Sequence, residues 1–267
     1  DLLAQSRGIS LASLLAEGYP DGPKRQVPVG VSIGIQPSIE NTLDRIDKFL
    51  SQGFSRVKLK IKPGWDVDLV RTVRKKYPEL PLMVDANSAY TMSDLKVLQE
   101  LDRYDLIMIE QPLAHDDIYQ HSQLQQIMAT PLCLDESIFS LGQAELALAL
   151  NACQIINIKP GRVGGLWESR QIHDLCQEHL IPVWCGGMLE TGIGRAANLA
   201  VASLPNFQLP TDNGPTDRYW EKDIVEELFT LNPEDSTITV PNQPGLGVTP
   251  SLERIESYLV RKQSFTG

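Results

Sequence analysis

Five charged residues, Lys60, Asp85, Glu110, Asp135 and Lys159, follow one another at intervals of 25, 25, 25 and 24 residues, each at or near the end of a short apolar run. That interval accommodates one strand, one helix and two short loops, so the chain reads as a series of β/α units with one reactive side chain per unit. Successive strand ends would then converge on one site.

The strand candidates are residues 29–35, 56–61, 80–86, 106–111, 132–136, 155–160, 181–187 and 206–210. Most are near-continuous apolar runs, which suit parallel strands buried on both faces. Helical periodicity fills the intervals at 39–50, 67–76, 93–101, 141–150 and 166–178, and another helix begins near "TGIGRAANLA". Eightfold alternation of strand and helix predicts an α/β fold of the TIM-type barrel class, with a doubly wound open sheet as the competing topology. The first 26 residues read as a helix already under way at Asp1, the barrel is expected over 27–211, and 212–267 is expected to form an extension outside the ring.

At 267 residues and 42% hydrophobic content the chain can bury one large core. A net charge of −10 argues against a nucleic-acid or anionic-membrane partner, because phosphate binding needs a basic surface. No apolar run approaches the ~18 residues of a membrane-spanning helix, so a soluble protein is expected. Cys133, Cys153, Cys176 and Cys185 lack CxxC spacing and read as reduced thiols of a cytoplasmic or stromal enzyme. His115, His121, His173 and His179 fall on expected helices away from the strand ends and read as ordinary helix positions.

Active sites of such barrels form at the C-terminal ends of the strands. Asp85, Glu110 and Asp135 would occupy three neighbouring strand ends at matching depth, an oxygen-rich set suited to magnesium. Each acid alone reads better as a capping or loop residue; their repetition at matching depth reverses that preference. Lys60 and Lys159 belong to strands four places apart in a ring of eight, hence on opposite sides. In "RVKLKI" Lys58 and Lys60 are two residues apart, so both face inward, and neighbouring positive charge should depress the Lys60 pKa. The bland reading of "KLKIK" is a solvated edge strand. A carboxylate held near a cation and flanked by lysines is set up for removal of the proton on the adjacent carbon. Return of the proton on the other face gives racemisation, and departure of a β-substituent gives elimination.

The segments "VKLKIKPGWD", "VDANSAYT", "IEQPL", "CLDESI", "INIKPGRVGG" and "WCGGMLETGIGRAANLA" together resemble the enolase superfamily in its muconate-lactonizing subgroup, most closely the o-succinylbenzoate synthases and N-acylamino acid racemases. The resemblance implies a (β/α)7β barrel and a magnesium cofactor, with manganese as a substitute, on Asp85, Glu110 and Asp135. It implies Lys60 as general acid/base and Lys159 as the lysine opposite. In the synthase reaction Lys60 would remove the α-proton of 2-succinyl-6-hydroxy-2,4-cyclohexadiene-1-carboxylate and then protonate the departing hydroxyl, a step of menaquinone and phylloquinone biosynthesis. In the racemase reaction both lysines would exchange protons. The same resemblance suggests substrate contacts from Ser32, Lys58, Asn87, Gly187, Met188 and Ile193, and a supporting role for Glu136. The partner is a small-molecule carboxylate, and homo-oligomerisation is compatible with this reading. Family members carry an α+β capping domain before the barrel, and this chain begins near the helix that would follow it, so the catalytic inventory is expected without part of the specificity wall.

Three other readings compete. A phosphate-binding barrel suggested by "GGMLETGIG" leaves the acid arc unexplained, and "GRVGGL" lacks G-x-G-x-x-G spacing. A non-catalytic metal-binding barrel leaves Lys60 and Lys159 without a purpose.

Overall fold

In the computed structural model, which describes residues 1–264, the short apolar runs fold as strands β1 (Gln26–Pro28), β2 (Val31–Ile33), β3 (Val57–Lys60), β4 (Leu82–Asp85), β5 (Ile109–Glu110), β6 (Leu132–Leu134), β7 (Ile155–Ile158), β8 (Val183–Cys185) and β9 (Thr237–Thr239). Strands β2 to β8 form one parallel sheet in sequence order, as right-handed β/α connections require. The expected eighth strand at 206–210 does not join this ladder. Pro205 and Pro210 bracket it and supply no backbone donors, so the segment is tied by single bridges, Phe207 to Val183 on one side and Thr211 to Val29 on the other. Those two bridges close the ring between β8 and β2.

Helices at Ile39–Ser51, Val67–Lys76, Leu95–Leu101, Ile118–Gln125, Leu141–Ala149, Leu166–Glu178 and Gly192–Ala202 alternate with the strands. Their starts follow local chemistry: Ser38 Oγ accepts from Asn41 N at 3.2 Å, and Thr91 with Asp94 makes a reciprocal capping box. The expected opening helix is instead two short ones, Leu2–Ser6 and Leu11–Leu15, because the chain turns at Arg7 and Gly8 and Ser10 caps the second. Leu11, Ala12 and Leu15 join the main core.

Two apolar clusters result from the period of two. Outward strand residues such as Val57, Leu59, Val84, Ile109 and Ile156 meet the helices in the main core. Inward residues Met83, Met108, Cys133, Ile155 and Trp184 fill the barrel itself. Each such side chain stabilises the fold by roughly 1.5–3 kcal/mol on full burial. This plug floors the site above it.

Beyond the barrel, β9 pairs antiparallel with β1, Val27 opposite Ile238. The tail is thereby anchored beside the residues that lead into β2, while Thr211 to Arg218 run past the strand ends. Among the described residues no helix is long and apolar enough to cross a membrane. The four cysteines are free and buried. His121 and His173 lie on helices, but His115 sits in a turn before Ile118–Gln125, edge-on to Phe139.

Candidate active site

Lys60, Asp85 and Glu110 are the last residues of β3, β4 and β5, and Asp135 and Lys159 lie one residue beyond β6 and β7. Lys60 is level with Asp85, and Asp85 with Glu110. The expected equal depth ends there: Glu110 is level with Cys133, so Asp135 stands two residues further along its strand. Closing a sheet into a barrel tilts and staggers its strands, and this is the local step of that stagger.

The three acids are fully buried, at 1% exposure or less. Each is held by cations. Lys58 Nζ lies 3.0 Å from Glu110 Oε2 and 3.3 Å from Asp85 Oδ2, and Lys60 Nζ lies 2.5 Å from the same Asp85 oxygen. Lys159 Nζ is 2.7 Å from Asp135 Oδ2, and Arg162 pairs with the other Asp135 oxygen. Burial opposes the Lys58 charge, yet Asp212, Glu110 and Asp85 override it and hold the ammonium well above the ordinary lysine range. Lys159 is likewise raised, burial being outweighed by Asp135. Asp85 is lowered despite burial by Lys58 and Lys60. Burial and then the Asp85 charge push Glu110 well above the usual carboxylate range.

The other sequence candidates divide between the site and its rim. Asn87 Oδ1 accepts from Lys60 Nζ at 2.5 Å, and its Nδ2 donates to Glu136 Oε1 at 2.7 Å. The second Glu136 oxygen is buried without a hydrogen-bond partner. Ser32 is level with Lys58 on the neighbouring strand. Gly187 follows β8 beside the Asp212 carbonyl, whereas Met188 is 64% exposed and Ile193 packs against the main core.

Four contributors escaped the sequence reading. Asn157 Nδ2 donates to Glu110 Oε1 at 2.7 Å while its Oδ1 accepts from Gly186 N at 2.8 Å. A Cβ at Gly186 would fall 2.6 Å from Lys159 Cε and 2.7 Å from the Asn157 amide, so only glycine lets both side chains take these positions. Arg162 also donates to the Ile138 and Asn157 carbonyls, tying Asp135 to the turn after β7. Arg56 and Asp212 form a pair at 2.9 Å beside Lys58. Asn157 was findable, since it precedes Lys159 by two and therefore shares its face. Asp212 had no spacing signal.

The donor set fits a hard divalent cation: three buried carboxylates on adjacent strands, whose mutual repulsion already lifts Glu110. Among the described residues no three acidic, histidine or cysteine side chains are grouped as a metal cage, and lysine and arginine groups occupy the carboxylate oxygens. Binding a cation there means displacing ammonium groups. Lys60 has room to withdraw, its side chain being 30% exposed.

A cavity of about 600 Å³ lies away from these acids, between Phe49 on Ile39–Ser51 and residues such as Trp220 and Phe229. None of Lys60, Asp85, Glu110, Asp135 and Lys159 lines it.

A family model described as "Enolase C-terminal domain-like" matches residues 41–255. The chain is 52% identical over 258 residues to an o-succinylbenzoate synthase of Geobacillus kaustophilus, covering 97% of this chain and 67% of that protein. It is 51% identical over 237 residues to an N-succinylamino acid racemase of Amycolatopsis sp, covering 88% and 64%. A crystal structure from Enterococcus faecalis V583, described as an unknown member of the enolase superfamily, superposes with a TM-score of 0.89 at 47% identity, covering 96% of this chain and 68% of that one. The chain thus spans about two thirds of the length of these relatives.

Proposed function

The chain belongs to the enolase C-terminal domain-like family, and we propose that it carries the catalytic barrel of an o-succinylbenzoate synthase, a carbon–oxygen lyase. The observation that carries this reading is the convergence of Lys60 and Lys159, from opposite sides of the ring, on the ends of the strands that bear Asp85, Glu110 and Asp135. Likeness to the Geobacillus kaustophilus synthase over nearly the whole chain supplies the substrate class.

In this reading Asp85, Glu110 and Asp135 would hold magnesium, which would supply charge stabilisation for the substrate carboxylate oxygens. Lys60 removes the proton from the carbon that bears the carboxylate. Its position at the Asp85 edge, with Asn87 fixing Nζ, aims the amine into the mouth of the barrel. The same ammonium then delivers its proton to the β-hydroxyl on the same face. The C–H and C–O bonds break, a C=C bond forms and water leaves, a syn dehydration to 2-succinylbenzoate. Lys159 stays cationic on the opposite face, in keeping with its raised pKa, and opposes the charge that builds on the substrate. Lys58, buried and paired three ways, is a fixed charge and not a proton carrier. A cytoplasmic setting fits the four unpaired thiols.

A second reading, N-succinylamino acid racemase, is favoured by one specific observation: two lysines flank the site from opposite sides, as exchange of a proton on both faces requires. Incubation with each substrate class in deuterated water separates the two. Synthase turnover with Lys60-dependent loss of the α-proton is expected; exchange on N-succinylamino acids without synthase turnover overturns the first reading.

A further inference from the structure

Lys58 has a third carboxylate partner outside the acid arc. Asp212 follows the eighth barrel segment, and its Oδ2 stands 2.6 Å from the Lys58 ammonium, closer than Glu110 at 3.0 Å or Asp85 at 3.3 Å. The other Asp212 oxygen accepts from Arg56 Nη1 at 2.9 Å. Arg56 is fixed in turn. Its Nη2 donates to the Pro210 and Thr211 carbonyls, its guanidinium lies over Trp184 at 5.5 Å, and a Cβ on Gly30 would fall 2.2 Å from its Cζ. Lys58 also lies over Trp184, at 4.8 Å. Asp212 is therefore a rigid anchor, and it is the nearest of the three carboxylates that the Lys58 ammonium touches at once.

We propose that Asp212, held by Arg56, is a positioning residue that draws the Lys58 ammonium toward the seam where the eighth segment closes the barrel, so that Lys58 competes less with a divalent cation for Asp85 and Glu110. The inference rests on the magnesium reading given above. Lys58, Lys60 and Arg56 face Asp85, Glu110 and Asp212, a balanced set of cations and carboxylates. Without the Asp212 charge, two buried cations are left with Asp85 and Glu110 alone. A buried charge without a partner is costly, so Lys58 then pairs more tightly with those two acids and competes more strongly with the metal. Asp212 acts through Lys58 and not on the metal.

Titration calorimetry with magnesium chloride alone tests this on the unaltered protein, Asp212→Asn, Lys58→Met and the double variant. Asp212→Asn is expected to weaken magnesium binding by about tenfold or more when Lys58 is present, but by less than about threefold in the Lys58→Met background, the coupling a double-mutant cycle measures. Equal affinity of Asp212→Asn and the unaltered protein overturns the inference and leaves the magnesium reading standing. No magnesium binding by the unaltered protein overturns both. A loss of about tenfold that persists without Lys58 also overturns it, since Asp212 would then act on the metal directly. Should Asp212→Asn alone fail to fold, the comparison of Lys58→Met with the double variant still decides.

Discussion

Lys60 and Asp85 are level on adjacent strands, and the Lys60 ammonium lies 2.5 Å from the Asp85 carboxylate. A proposed base and a proposed metal ligand thus hold each other in place. Cation binding and release of Lys60 are two sides of one exchange.

Replacing Lys60 by Met should separate these roles. Loss of a positioned acid/base group costs about 10²–10⁴-fold in kcat. Magnesium affinity should not fall, because a competitor for Asp85 has been removed. Steady-state kinetics and calorimetry on Lys60→Met check both halves, and a fall in magnesium affinity would count against the exchange.

Glu110→Gln should lose magnesium affinity without losing stability. Glu110 is fully buried and its pKa is raised, so ionising it is unfavourable in the fold, and Lys58 retains Asp85 and Asp212 as partners. Thermal denaturation should give a Tm equal to or above that of the unaltered protein. A lower Tm would show that the acid serves the fold.

Acid should weaken the fold through the buried histidines. His173 Nε2 accepts from Asn206 N at 2.9 Å and His121 Nε2 accepts from Leu113 N at 3.2 Å, so each must be unprotonated there. Burial lowers both pKa values, against smaller opposing effects of Asp174 on His173 and Asp117 on His121. The unfolded chain, titrating near ~6.5, then binds more protons, so this stability is present above that pH and is lost as pH falls through the depressed folded values. Tm should decline below about pH 6.5, less steeply in His173→Gln, whose side-chain oxygen can still accept. Parallel slopes would remove His173 from the account.

The thiols should be inert in the native state. All four are buried, and burial pushes Cys153 and Cys185 up to about 12 and Cys133 and Cys176 upward as well. A thiol-reactive dye should label none of them until denaturant unfolds the barrel. Rapid labelling of the folded protein would show an opening near β6 or β8.

The reactive strand ends were legible because inward-facing residues at a β/α repeat carry both a period of two and a period near 25. Lys58 followed from Lys60 by the same rule, and Asn157 could have followed from Lys159. The unequal depth of Asp135 was not legible, because stagger belongs to the closed barrel and not to any one strand. The eighth segment looked like the other apolar runs, but Pro205 and Pro210 deny it a ladder. Asp212 and Arg162 were missed for another reason. Asp212 reaches the site from a bend and Arg162 from the single helical turn Pro160–Val163, whose directions depend on contacts such as the Arg162 bonds to Ile138 and Asn157.

The central claim is that Lys60 works on a carboxylate substrate held beside Asp85, Glu110 and Asp135. The most direct measurement follows conversion of 2-succinyl-6-hydroxy-2,4-cyclohexadiene-1-carboxylate to 2-succinylbenzoate, with and without magnesium, by the unaltered protein and by Lys60→Met. Turnover that needs magnesium and falls by at least about 10²-fold in the variant is the predicted result. Turnover indifferent to Lys60, or no turnover by the unaltered protein with magnesium present, would contradict it.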